Sequence, residues 1–144
     1  MNELWADIDR RDSVNLVKVK AILDKHGWLG PDVIGNSGSL TLFLVIQHAD
    51  KQTQEKYLPA MREAASNGKA APANLALLED RVALEEGKKQ IYGSQIGRDE
   101  KTGKFYIRPI EDEINVDTRR AAVGLPPLKD YVKQWGIIYV KPEK

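Results

Sequence analysis

Apolar positions recur every three or four residues along most of this chain, and they switch to alternation in one stretch near its middle. Leu16, Val19, Leu23 and His26 fall at helical spacing, which predicts a helix from Val14 to His26 capped by Ser13 and stopped by Gly27. Gly27-Trp28-Leu29-Gly30-Pro31 reads as a tight connection anchored by an aromatic ring. The next helix is expected from Ser39 to Asp50. Its apolar residues cover nearly the whole circumference at about 100° per residue, the pattern of a helix buried on all sides. Gln52 to Asn67 is amphipathic, and Gly68 ends it. Asn74 caps a helix over Leu75–Glu86 with Gly87 past its end. On that helix Leu75, Leu77, Leu78, Val82 and Leu84 bracket an arc with Arg81 near its middle.

Lys89 to Ile96 alternates like a strand, with Gln90, Tyr92, Ser94 and Ile96 on one face. Lys104 to Ile110 reads as its partner and Gly97–Gly103 as the polar connector, which makes a β-hairpin. Asn115 or Asp117 caps a short helix through Val123, and Gly124-Leu125 is a left-handed stop. Pro126-Pro127 opens a last helix to Trp135, and Ile137–Val140 reads as a terminal strand. The fold class expected is α+β, a mostly helical single domain over residues 1–144 with one β-hairpin.

Composition narrows the function classes. The chain has 144 residues and no cysteine, which excludes disulfides, thiolate metal sites and a cysteine nucleophile. A net charge of +1 leaves no electrostatic footprint for nucleic acid or an acidic membrane surface. With 42% hydrophobic and 30% charged residues, wholesale disorder is not expected. Met1–Arg11 is polar and unlike a secretory signal, and the apolar run Leu42–Ile46 is too short to span a bilayer. A soluble, cytoplasmic protein is the expectation.

The candidate chemistry is scattered. His48, at the end of the expected central helix, is a general acid or base if it lines a cleft, and otherwise a core histidine bonded to a carbonyl. Asp80 could orient it across two helices. Arg81 is either an anion clamp or a structural ion-pair partner. Gln90, Tyr92 and Ser94 offer amide, phenol and hydroxyl groups, and Gly93 permits a close approach to the backbone. Asp117, Arg119 and Arg120 suit capping and surface charge, and two adjacent arginines point about 100° apart, so at most one is expected inward. His26 reads as structural. Gly35-Asn36-Ser37-Gly38-Ser39 is most simply a cap and turn, although its amides could hold an anion. No phosphate-binding loop, dinucleotide fingerprint or nucleophile elbow is present. Two histidines without paired-ligand spacing make a metal site unexpected, and no cofactor is required.

Taken in order, these segments resemble a family. His26-Gly27-Trp28, Val33-Ile34-Gly35, Val45 to Asp50, Ala76 to Arg81, Gly87 to Gln95, Asp117 with Arg119 and Arg120, and Gly124-Leu125 with Tyr131 are similar to an uncharacterised bacterial family of small soluble proteins, classed as a domain of unknown function. Position 94 carries serine where that pattern has threonine. The resemblance implies no activity. It implies that Gln47, His48, Asp80, Arg81, Tyr92, Gln95 and Arg120 belong together. The leading expectation is therefore a hydrolase or transferase acting on a small polar or anionic molecule. In it His48 and Asp80 are catalytic, and Gln47, Arg81, Tyr92, Gln95 and Arg120 bind substrate. The alternatives are a non-catalytic ligand- or peptide-binding module and a buried polar network that serves the fold alone.

Overall fold

A computed structural model describes residues 15–143. They fall into two compact units that divide after Ala71. The fold is α+β, with helices accompanied by one two-stranded antiparallel hairpin. Among the described residues no helix is long and apolar enough to cross a membrane.

The N-terminal unit is helical. Helix α1 spans residues 15–26 and buries Val19 and Leu23, whereas His26 is exposed rather than part of the apolar face. The Ser13 cap expected for α1 lies outside the described residues. Gly27, at φ 70°, turns the chain so that Trp28 is buried.

Helix α2, Pro31–Gln47, starts eight residues earlier than its apolar pattern suggests. Pro at its first turn suits helix initiation, and Gly35, at φ 77° and ψ 167°, kinks it. Gly35 thus breaks the helix into two segments, and the polar stretch at residues 35–39 provides the turn and opens the second one. Only one side of α2 is buried, through Leu42, Phe43, Ile46 and Gln47, while Leu40 and Leu44 are exposed. The all-round apolar wheel overstated its burial, because a wheel counts residue types and not neighbours.

Helix α2 also ends before Asp50. That residue caps α3, Lys51–Ser66, by accepting a hydrogen bond from the Thr53 amide at 2.8 Å. Buried Gln54 donates to the carbonyls of Gln47 and Ala49, satisfying the end of α2 from within α3. The α3 stop is a Schellman motif, with Gly68 donating to Ala65 and Lys69 donating to Ala64.

The C-terminal unit begins with α4, Pro72–Glu85, which buries Ala76, Leu78, Asp80 and Val82. A second Schellman motif closes it, where Gly87 donates to Leu84 and Lys88 to Ala83. Strands β1, Ile96–Arg98, and β2, Phe105–Ile107, pair antiparallel with Ile96 opposite Ile107. They are much shorter than the alternation predicts. Residues 91–95 leave the ladder and form a loop, and Gln90 makes a lone parallel bridge to Ile110.

Helix α5, Val116–Ala122, ends at Gly124-Leu125 as expected, with Leu125 donating to Arg120. Asp117 does not cap it and instead accepts from the Leu128 amide, fixing the entry to α6, Leu128–Tyr131, which a 3₁₀ turn continues to Trp135. The core of this unit is Ile110, Val116, Leu128 and Val132, with Ile96, Ile107, Tyr131, Ile137 and Tyr139 packed against it. Ile137–Val140 is not a strand: it has no ladder partner, and Ile138 is 94% exposed.

Candidate functional site

The polar residues of the C-terminal unit converge on the loop 91–95, and Asp80 is at their centre. Asp80 is fully buried, one helical turn beyond Ala76 on the same side of α4. Its Oδ1 accepts from the amides of Ile91 at 2.8 Å and Tyr92 at 2.9 Å. Its Oδ2 accepts from the Ser94 amide at 2.9 Å and the Ser94 hydroxyl at 2.7 Å. A carboxylate has about four acceptor positions, so Asp80 is saturated by its own loop.

The loop carbonyls are held from the other side. Arg119 Nε donates to Ile91 O at 2.9 Å, Arg120 Nη1 to Tyr92 O at 2.6 Å, and the Tyr131 hydroxyl to Ser94 O at 2.9 Å. Both the amide and the carbonyl of residues 91, 92 and 94 are therefore satisfied by side chains rather than by a strand partner. This explains why alternation failed here: the loop exchanges a ladder for a full set of side-chain bonds. Gly93, at φ 71°, supplies the left-handed turn that this path needs. The close approach that its missing side chain allows is made by methyl groups of Ile110 and Leu128.

Gln90 closes the loop base. Its Oε1 accepts from the Gln95 amide, and its Nε2 donates to the carbonyls of Gln95 and Arg108. Arg120 is fully buried, its guanidinium 4.6 Å from the Tyr131 ring centre, and Nε donates to Pro126 O at 2.7 Å. Burial pushes the Arg120 pKa down, against the field of Tyr131, Asp117 and Asp80. Burial likewise raises the Tyr131 and Tyr92 pKa values, and for Tyr92 the charges of Glu79 and Asp80 add to it.

Among the residues singled out from the sequence, Asp80, Tyr92, Gln95 and Arg120 are brought together. Arg81 is half-buried on α4 beside Asp80, so the charge aimed fully inward is the aspartate and not the arginine. Arg120 is enclosed by protein groups rather than open to a substrate. Only Arg120 is fully buried, in keeping with one inward arginine, yet the partly exposed Arg119 also reaches a loop carbonyl from a different direction.

Gln47 and His48 belong to the N-terminal unit. Gln47 is buried at the end of α2. His48 is exposed, and its Nδ1 lies 2.8 Å from Leu44 O. That carbonyl can only accept, so Nδ1 carries the proton. Asp80 has no acceptor position left with which to orient an imidazole.

Arg119 and Tyr131 were noted in the sequence, but not among the residues expected to act together at one site. Their loop contacts span 28 and 37 residues of chain, beyond the reach of any local pattern.

The N-terminal unit carries a cleft of about 220 Å³ between the α1–α2 connection and the end of α3. His26, Trp28, Glu63, Asn67 and Lys69 line it, with Ala60 and Ala64 on its apolar wall. Among the described residues no three metal-ligating side chains converge.

Fold and site together define a small α+β protein in which a buried carboxylate, two arginines and a tyrosine lock one loop. The chain belongs to a family of unknown function, DUF6624, whose profile matches residues 1–141. No curated protein and no solved structure matches it.

Proposed function

We propose that this protein is a non-catalytic binding module whose recognition element is the Asp80-locked loop, with a peptide segment as its ligand. One observation carries the reading. On a loop whose backbone is immobilised, the Tyr92 hydroxyl and the Gln95 side-chain oxygen are bonded to no group among the described residues. A peptide unit offers one donor and one acceptor. The phenol can donate to its carbonyl while the carboxamide oxygen accepts its N–H. Holding the loop in advance removes ordering entropy that binding would otherwise cost. The saturation of Asp80 argues against the hydrolase or transferase reading, which needs that carboxylate free. A chain without cysteine suits a cytoplasmic setting.

Selection from a random peptide display library tests this. Peptides enriched on the wild type should lose binding by about tenfold on Tyr92→Phe and on Gln95→Ala, each equal to one lost hydrogen bond to a held partner. No enrichment, or peptides that bind these variants as tightly as the wild type, would overturn it.

A further inference from the structure

We infer that the cleft of the N-terminal unit is a binding site for a small zwitterion of the α-amino acid class. It is a different site from the loop and does not rest on the peptide reading.

The first argument is chemical. His26, Glu63, Asn67 and Lys69 line one concavity, and among the described residues none of their side chains has a hydrogen-bond or ion-pair partner. A surface whose only purpose is solvation commonly pairs a neighbouring carboxylate and ammonium, as Lys51–Glu55 and Lys133–Asp130 do here. Glu63 and Lys69 face the same space and stay apart. A ligand carrying both charges bridges them, with its ammonium on Glu63 and its carboxylate on Lys69.

Local structure fixes these groups. Ala60, Glu63, Ala64 and Asn67 recur at helical spacing on α3, so they share one face. Lys69 follows the Schellman turn, with its amide held by Ala64 O at 2.7 Å. Helices α1 and α3 both end at this cleft, and helix C-termini favour a positive group. That places the ammonium end of the ligand beside Glu63.

The second argument is an unsatisfied donor. Trp28 is 95% buried on the cleft wall, and its indole N–H has no acceptor among the described residues. Buried polar groups in folded proteins are almost always bonded, and a ligand carboxylate supplies the missing acceptor. The volume sets the size. About 220 Å³ is below the usual range for drug-sized ligands, about 300–1,000 Å³, and admits one amino acid. Ala60 and Ala64 leave room for an apolar side chain.

The test is an NMR titration of the full chain at low ionic strength with L-alanine and L-leucine. Propylamine and propionate serve as single-charge controls. The readout is the Trp28 indole N–H resonance, assigned with Trp28→Phe. Saturable shifts are expected with the amino acids, with each control weaker by about tenfold. Glu63→Gln and Lys69→Met should each weaken the amino acids by a similar factor. Both positions are exposed, so an unchanged thermal midpoint verifies the fold. No movement of the Trp28 resonance up to the solubility limit would overturn the proposal. Propylamine binding as tightly as L-alanine would also overturn it, in favour of a plain ammonium site. A response retained in both variants would remove the charge pairing on which it stands.

Discussion

Asp80 shows how one side chain can replace a strand. It accepts two hydrogen bonds on each oxygen, all from residues 91–94. Asp80→Asn keeps the shape but turns an NH₂ group toward one pair of donors, leaving buried N–H groups unpaired. Urea unfolding should show a loss of about 2–4 kcal/mol. Ser94→Ala removes only the hydroxyl bond and should cost about 1 kcal/mol. Equal effects would mean that the carboxylate contributes no more than that hydroxyl. The sequence announces Asp80 as a charged residue on a helix with much apolar surface. It does not announce its partners, because they lie in a segment that resembles a strand.

At the level of elements, glycines with positive φ serve different ends. Gly124 only terminates α5: its φ is 80° and no atom lies within 4 Å of an added methyl group. Gly93 has φ 71°, and an added methyl would meet Ile110 Cδ1 at 3.0 Å and Leu128 Cδ1 at 3.1 Å. Gly124→Ala should cost about 1 kcal/mol from strain alone. Gly93→Ala adds overpacking and should cost about 2–3 kcal/mol. Differential scanning calorimetry of the two variants separates strain from crowding. Helix ends were legible for the same reason: Gly68, Gly87 and Gly124 each follow a helix, and each donates as the motif requires. Helix starts were less so, since Pro31 and Pro72 initiate helices ahead of any apolar repeat.

Across the whole chain, burial holds the phenols of Tyr57, Tyr92, Tyr131 and Tyr139 above their ordinary pKa, with Tyr139 pushed up to about 12. An unfolded tyrosine titrates near 10. The folded state therefore keeps its proton longer. The Tyr139 contribution is fully present below about pH 10 and is lost as pH rises toward about 12. Stability measured by urea unfolding should fall across that window, and Tyr139→Phe should make the fall shallower. The Tyr139 hydroxyl is also buried without a partner. At neutral pH the same variant should therefore be as stable as the wild type or more so, by up to about 1 kcal/mol.

The sequence by itself determined the α+β class, the glycine stops of four helices, the presence of a hairpin between Lys89 and Ile110 though not its short strands, and the membership of a family of unknown function. The class, the stops and the hairpin follow from local periodicity and from glycine's access to positive φ, which need no knowledge of neighbours, and the family follows from the resemblance of its motifs. Only tertiary structure decided which charge of the Asp80-Arg81 pair turns inward, that both Arg119 and Arg120 hold one loop, and that Tyr92 and Gln95 keep polar atoms open. It also decided that His48 is exposed and that Trp28 lines a cleft. The reason is that hydrogen-bond partners are chosen by position in space. A residue such as Tyr131 carries no mark in its own neighbourhood of the carbonyl, 37 residues away, that it will bind.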